Sequence, residues 1–179
     1  MEHKGFTVWF TGLPASGKST LADSVAIRLE KIGMKVERLD GDIVRKDLTR
    51  DLGYSENDRK LNIERVTYVA KLLSRNGVAV LASFIAPYKE IRAYSRSEIE
   101  NYILVFVKCP LEVCEERDPK GLYAKARAGI LKNFTGVDHP YEEPESAEIV
   151  VETDKQTVEE STAIIIKALD QMGYLPDHS

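Results

Sequence analysis

The sequence predicts an α/β fold: a five-stranded parallel sheet with helices on both faces. Three observations carry that expectation. Apolar runs of strand length recur along the chain and alternate with segments of helical periodicity. The runs are continuously apolar, as strands covered on both faces are. A glycine-punctuated loop joins the first run to the first helical segment.

The elements follow in order. Residues 6–11 read as a buried strand and residues 12–17 as a loop. Residues 18–31 are helical, with Leu21, Val25 and Leu29 on one face and Gly33 closing the helix. Residues 35–39 form a second strand that ends in Asp40-Gly41-Asp42. A helix over 60–76 carries Val66, Val69, Ala70 and Leu73 on one stripe, with Gly77 just past its end. Residues 78–84 are a third strand, and Pro87 opens the turn after it. A helix over 93–100 leads to a fourth strand at 102–108, stopped by Pro110. A short fifth strand spans 148–151. The last helix covers 158–172, with Val158, Ile165, Ala168, Leu169 and Met172 inward and Gly173 beyond it. Repeats and low-complexity tracts are absent, and the 179 residues suit a single domain, 1–179.

Composition narrows the classes. Net charge is −4, which argues against a nucleic-acid partner, since that needs a basic face. No apolar run approaches the ~20 residues that cross a membrane, so no membrane partner is expected. Cys109 and Cys114 are spaced neither as a redox pair nor as a zinc knuckle. As free thiols in a chain without a signal peptide they fit a cytoplasmic location.

Gly12-Leu13-Pro14-Ala15-Ser16-Gly17-Lys18-Ser19 fits G-x-x-x-x-G-K-[ST] in full, between a strand and a helix. That context is what the phosphate-binding loop (P-loop) requires. Glycines let several backbone N–H groups converge on one phosphate, and the helix beginning at Lys18 adds its positive end. Lys18 brings a charge to the β and γ phosphates, and the Ser19 hydroxyl is placed to ligate Mg²⁺. ATP with Mg²⁺ is the cofactor this implies.

Asp40 and Asp42 follow the second strand, at the edge of the crevice where open α/β sheets bind ligands. One acid can orient or deprotonate an acceptor hydroxyl and the other can hold the Mg²⁺ water shell; the residues leave open which does which. Arg45 lies on the same side. Further on, Arg59 and Asn62 share a helical face, and Tyr54 offers a flat ring to a base. Residues 117–133 carry Arg117, Lys120, Lys125, Arg127 and Lys132 against the one acid Asp118. Residues 138–148 then hold five acids and no Lys or Arg. Beside a phosphate site, that segregation points to an anion-gripping lid.

Taken together, these segments resemble the adenylylsulfate (APS) kinase family. The resemblance also runs through Ser83-Phe84-Ile85-Ala86-Pro87-Tyr88, the stretch from Lys108 to Tyr123, and Lys132-Asn133-Phe134-Thr135-Gly136 onward to Pro144, so it spans most of residues 5–160. It implies a P-loop NTPase fold with a basic lid at about 117–136. It also implies an enzyme that uses ATP to phosphorylate the ribose 3′-hydroxyl of adenosine 5′-phosphosulfate. On this reading Gly12, Ala15, Ser16, Gly17, Lys18, Ser19, Thr20 and Arg117 contact the nucleotide. Asp42, Arg45, Tyr54, Arg59, Asn62, Ser83, Ile85, Lys132 and Phe134 contact the acceptor, with Tyr54 and Phe134 sandwiching its adenine. Lys18, Asp42 and Asp40 are the catalytic candidates, Ser19 is the metal ligand, and a homodimer is implied.

One departure matters. Many family members carry a serine where this chain has Ala86, and that serine has been proposed as a phosphorylated intermediate. Direct transfer needs no such relay when donor and acceptor are juxtaposed. Two other readings are a P-loop kinase for another small hydroxyl acceptor, such as gluconate or a nucleotide, and a nucleotide-dependent switch without turnover. The intact P-loop and basic segment argue against the switch.

Overall fold

The computed structural model describes residues 4–176. Its sheet has five strands: β1 (Phe6–Thr11), β2 (Val36–Asp40), β3 (Ala79–Ser83), β4 (Tyr102–Lys108) and β5 (Ile149–Glu152). All pairings are parallel, in the order β2-β3-β1-β4-β5. The chain leaves β1 for the β2 edge and later crosses to β4 on β1's other side, so the strand order reverses at β1. Open α/β sheets bind ligands at that switch point, outside the C-terminal strand ends.

Both sheet faces are covered. Along β1, Phe6, Val8 and Phe10 enter one core with Leu21, Val25 and Leu29 of α1 (Lys18–Lys31) and Ile165 and Leu169 of α7 (Val158–Gln171). Trp9 points the other way, into a core with Val66 and Ala70 of α3 (Glu56–Ser74), Ile91 of α4 (Lys89–Glu98) and Leu104. Alternation along a strand that is buried on both sides forces this division. A third, smaller cluster forms where β4 ends, around Cys109, Cys114, Tyr123 and Phe134. Both cysteines are free and buried.

Several elements differ from the sequence expectation, each for a local reason. Helix α3 starts at Glu56 rather than residue 60, because Ser55 caps it by accepting from the Asp58 N–H at 3.1 Å. Helix α4 starts at Lys89, four residues earlier than the apolar pattern suggests; the Lys89 N–H is satisfied at 2.6 Å by the distant Glu142 carboxylate. The Asp40-Gly41-Asp42 turn opens a short helix, α2 (Gly41–Val44), capped by Asp40. The basic segment contains α5 (Leu111–Arg117) in part and α6 (Leu122–Arg127), the latter begun by Asp118, which accepts from the Tyr123 and Ala124 N–H groups. Val158 and Met172 are 44% and 41% exposed rather than inward, since the face of α7 against α1 is completed by Thr162, bonded to Ser24 at 2.9 Å.

Candidate active site

The loop between β1 and α1 closes tightly. A Cβ at Gly12 would stand 2.5 Å from the Val107 carbonyl oxygen, so only glycine fits there. Gly17 is left-handed, with φ 103°, and delivers the chain into α1. Lys18 Nζ donates to the carbonyls of Gly12 at 3.0 Å and Leu13 at 2.7 Å. An ammonium has three N–H donors, so one remains for a phosphate. Burial lowers the Lys18 pKa to about 8, against the opposing pull of the Asp40 and Asp42 carboxylates. The neighbouring Cys114 thiol, pushed up to about 12 by burial, stays neutral.

Ser19 donates its hydroxyl to Asp40 Oδ2 at 2.6 Å, while Asp40 Oδ1 accepts the Asp42 N–H at 3.0 Å. The Asp42 carboxylate is free of such duties and takes an ion pair from Lys120. Lys120 thus reaches across from the basic segment to the acid in α2, two residues past the end of β2. Nothing in the sequence sets it apart from the other basic residues of 117–133, although its place two residues after Asp118 is a turn signal.

Beyond Asp42 the cleft is walled by α3 and its preceding loop. The Arg45 guanidinium lies 4.3 Å from the Tyr54 ring centroid and donates to the Gly53 carbonyl at 3.0 Å. Arg59 donates through Nε to the Tyr54 carbonyl at 3.0 Å and through Nη1 to Thr135 Oγ1 at 3.0 Å. It also donates to the Asn133 carbonyl, so one side chain joins the Tyr54 loop to the segment bearing Phe134. Burial lowers the Arg59 pKa below the ordinary arginine value. Asn62 is buried, and its Oδ1 has no hydrogen-bond partner among the described residues. Phe134 is held edge-on by Tyr123, at 5.0 Å between centroids. Ser83 is buried, and its Oγ accepts from Arg38 Nη1 at 3.1 Å.

Most of these side chains border one cleft of about 950 Å³. It brings together Ala15, Gly17, Lys18, Ser19 and Thr20 with Asp40, Asp42 and Arg45, and adds Tyr54, Arg59, Asn62, Ser83, Ile85, Phe134 and Arg117. Gly12 and Ser16 lie behind its surface as loop framework, and exposed Lys132 is outside its lining. Lys125 and Arg127 are outside as well, and Arg127 is paired with Glu115. Arg117 is fixed beside β5 by donating to Thr153 Oγ1 at 3.1 Å and the Thr153 carbonyl at 2.6 Å. Thr153 in turn donates to the Ser16 carbonyl at 2.7 Å. Its position just past a parallel strand is the signal that could have found it.

Phosphate loop, paired acids and a second, aromatic and cationic wall define a P-loop kinase. The comparisons refine the class. The Adenylylsulphate kinase family model matches residues 4–152. The chain is 54% identical over 174 residues to the adenylyl-sulfate kinase of Halothermothrix orenii, covering 97% of this chain and 94% of that one. The structure of the Mycobacterium tuberculosis APS kinase in complex with AMPPNP and APS superposes with a TM-score of 0.91 at 42% identity, covering 94% of this chain and 99% of that one. A hexameric APS kinase from Thiobacillus denitrificans gives 0.75 at 34% identity, over 98% of this chain and 30% of that one. The chain belongs to the adenylylsulphate kinase family. Among the described residues no helix is long and apolar enough to cross a membrane.

Proposed function

We propose that this enzyme transfers the γ-phosphoryl group of ATP to the ribose 3′-hydroxyl of adenosine 5′-phosphosulfate, giving ADP and 3′-phosphoadenosine 5′-phosphosulfate. One observation carries the reading: the P-loop with Lys18, Asp42 and the wall of Arg45, Tyr54, Arg59 and Asn62 all border one cleft. The family relatives named for this activity support it.

The residues divide the work. The P-loop and Lys18 hold the triphosphate, and Arg117 flanks its nucleoside end. Arg45 and Arg59 take the anionic groups of the acceptor, as planar forks do well. Tyr54 and Phe134 enclose its adenine, and the unpartnered Asn62 Oδ1 suits a base amino group. Asp40 is committed to Ser19 and to the cap of α2, whereas the Asp42 carboxylate, which also borders the cleft, is engaged only by the exposed Lys120. That supports Asp42 as the group that orients or deprotonates the 3′-hydroxyl and Asp40 as the support of the metal side. Ser19 and Asp40 would hold Mg²⁺. Their hard oxygens fit an ion that takes one or two protein ligands plus substrate phosphates. When bound, the ion neutralises phosphate charge.

Transfer is direct and in line. Ala86 has no nucleophile, and Ser83 Oγ is engaged by Arg38. The whole chain acts as one catalytic domain, with residues 117–136 as a lid that excludes water. We place it in the cytoplasm as a homodimer; light scattering at working concentration tests the dimer. The function itself is tested by following ADP release with APS, with gluconate, with a nucleoside monophosphate and with no acceptor. Turnover specific to APS is expected, and preference for another acceptor overturns the reading.

A further inference from the structure

Three consecutive carbonyls of the loop after β3 are held from outside the cleft. The Thr11 hydroxyl donates to the Ile85 carbonyl at 2.6 Å. Arg92 Nη1 donates to the Ala86 carbonyl at 2.6 Å. The Glu142 N–H donates to the Pro87 carbonyl at 2.8 Å. Ile85, Ala86 and Pro87 line the cleft themselves, so these ties fix a wall of the site from behind.

Arg92 is the centre of the arrangement. It lies on α4 and is only 5% exposed. Its Nη2 donates to the Glu142 carbonyl, and its guanidinium sits 5.7 Å from the Tyr141 ring centroid. The Tyr141 hydroxyl closes the circuit at 2.9 Å from Thr11 Oγ1. No carboxylate pairs with Arg92 among the described residues. Burial lowers its pKa.

A guanidinium buried among carbonyls without a counter-ion is a costly way to fill a helix–loop contact. An apolar side chain would cover the same surface of α4 more cheaply. What the fork adds is geometry: two nitrogens take carbonyls from two separate segments in one plane, which the point charge of a lysine does not reproduce. The backbone it holds is unusual. Ala86 is left-handed, with φ 43°, a conformation that non-glycine residues avoid. Such backbone persists where its surroundings over-determine it, and it concentrates at functional sites.

We propose that Arg92 is a positioning residue for the acceptor. It holds the Ile85-Ala86-Pro87 wall in its strained form, so that the acceptor nucleoside seats with its 3′-hydroxyl toward Asp42, and it does so without touching substrate. This rests on the proposed function.

The test is steady-state kinetics in both substrates for wild type, Arg92→Lys, Thr11→Val and Thr11→Ser, with thermal melts of each. Arg92→Lys is expected to raise KM for APS about tenfold, the scale of a small misplacement at a site. KM for ATP should stay within about twofold. Thr11→Val should move KM for APS in the same direction, and Thr11→Ser, which keeps the hydroxyl, should restore it. Should Arg92→Lys fail to fold, the Thr11 pair decides alone. An unchanged KM for APS, or KM values for both substrates rising in step, overturns the proposal. A wild type inactive toward APS overturns the functional reading and this inference with it; an active wild type with indifferent variants removes the inference only.

Discussion

Ser19 and Asp40 are joined by a 2.6 Å hydrogen bond from hydroxyl to carboxylate, linking the first turn of α1 to the end of β2. The same carboxylate caps α2 through the Asp42 N–H. Asp40 therefore fixes both the hydroxyl on the metal side and the acid on the acceptor side.

Asp40→Asn keeps a capping oxygen but removes the charge. The melting temperature should change little, while half-saturation by free Mg²⁺ should rise about tenfold, one lost charge–metal contact being worth on the order of 1.4 kcal/mol. Asp40→Ala should add about 1 kcal/mol of instability from the lost cap. Turnover titrated against free Mg²⁺ checks this, and an unchanged Mg²⁺ requirement contradicts it.

Lys18 carries the pH dependence. Its folded pKa of about 8 lies below the ordinary 10.5, so the folded state bears the desolvation of the ammonium below pH 8. That burden is relieved as pH rises from 8 toward 10.5. Phosphates favour the charged form, so ATP binding takes up a proton where the free enzyme is losing it. ATP affinity should therefore fall as pH climbs above about 8, by up to about tenfold per unit. Lys18→Met should bind ATP weakly with no such slope, melt no lower than wild type at pH 7, and lose at least about a hundredfold in kcat. Calorimetric titrations between pH 6.5 and 9.5 read the slope. More than about a tenth of wild-type kcat surviving in the variant would sink the assignment.

Arg59→Ala and Asn62→Ala should raise KM for APS by ten- to a hundredfold, roughly 1.4 to 2.7 kcal/mol, and KM for ATP by less than about twofold. Arg59 ties the Tyr54 loop to the Phe134 segment, and Asn62 presents an unpartnered oxygen. Equal effects on the two substrates would move both residues out of the acceptor site.

The lid prediction separates Lys120 from its neighbours. Lys120 and Asp42 are both well exposed, so their pair contributes little to stability and its loss should show in turnover alone. Lys120→Ala should lower kcat/KM for APS at least about tenfold with an unchanged melt. Lys125→Ala combined with Arg127→Ala should leave both KM values near wild type, since neither side chain reaches the cleft. The reverse pattern would return Lys120 to the solvated surface.

The sheet and the P-loop were legible because their signals are local. β1, α1 and β4 begin and end where apolar runs, Gly17 and Pro110 place them. The start of α4 was not, because its first N–H is satisfied by Glu142, 53 residues away in sequence. The basic segment was legible as charge but not as geometry. Composition could not show that Arg127 turns to Glu115 while Lys120 turns to Asp42. Arg92 was invisible for the same reason: its partners are backbone carbonyls, which leave no mark on side-chain pattern.

On the proposed function the phosphoryl group passes directly from ATP to the 3′-hydroxyl of APS, in a chain whose loop carries Ala86. A rapid-quench experiment with γ-labelled ATP tests it, with protein and nucleotides separated after each time point. With APS present, the phosphoryl label should appear only in a nucleotide bearing a 3′-phosphate, as fast as ADP forms, with none on the protein. Label that accumulates on the protein and is discharged by APS would contradict direct transfer, and label released only as inorganic phosphate would contradict the kinase assignment itself.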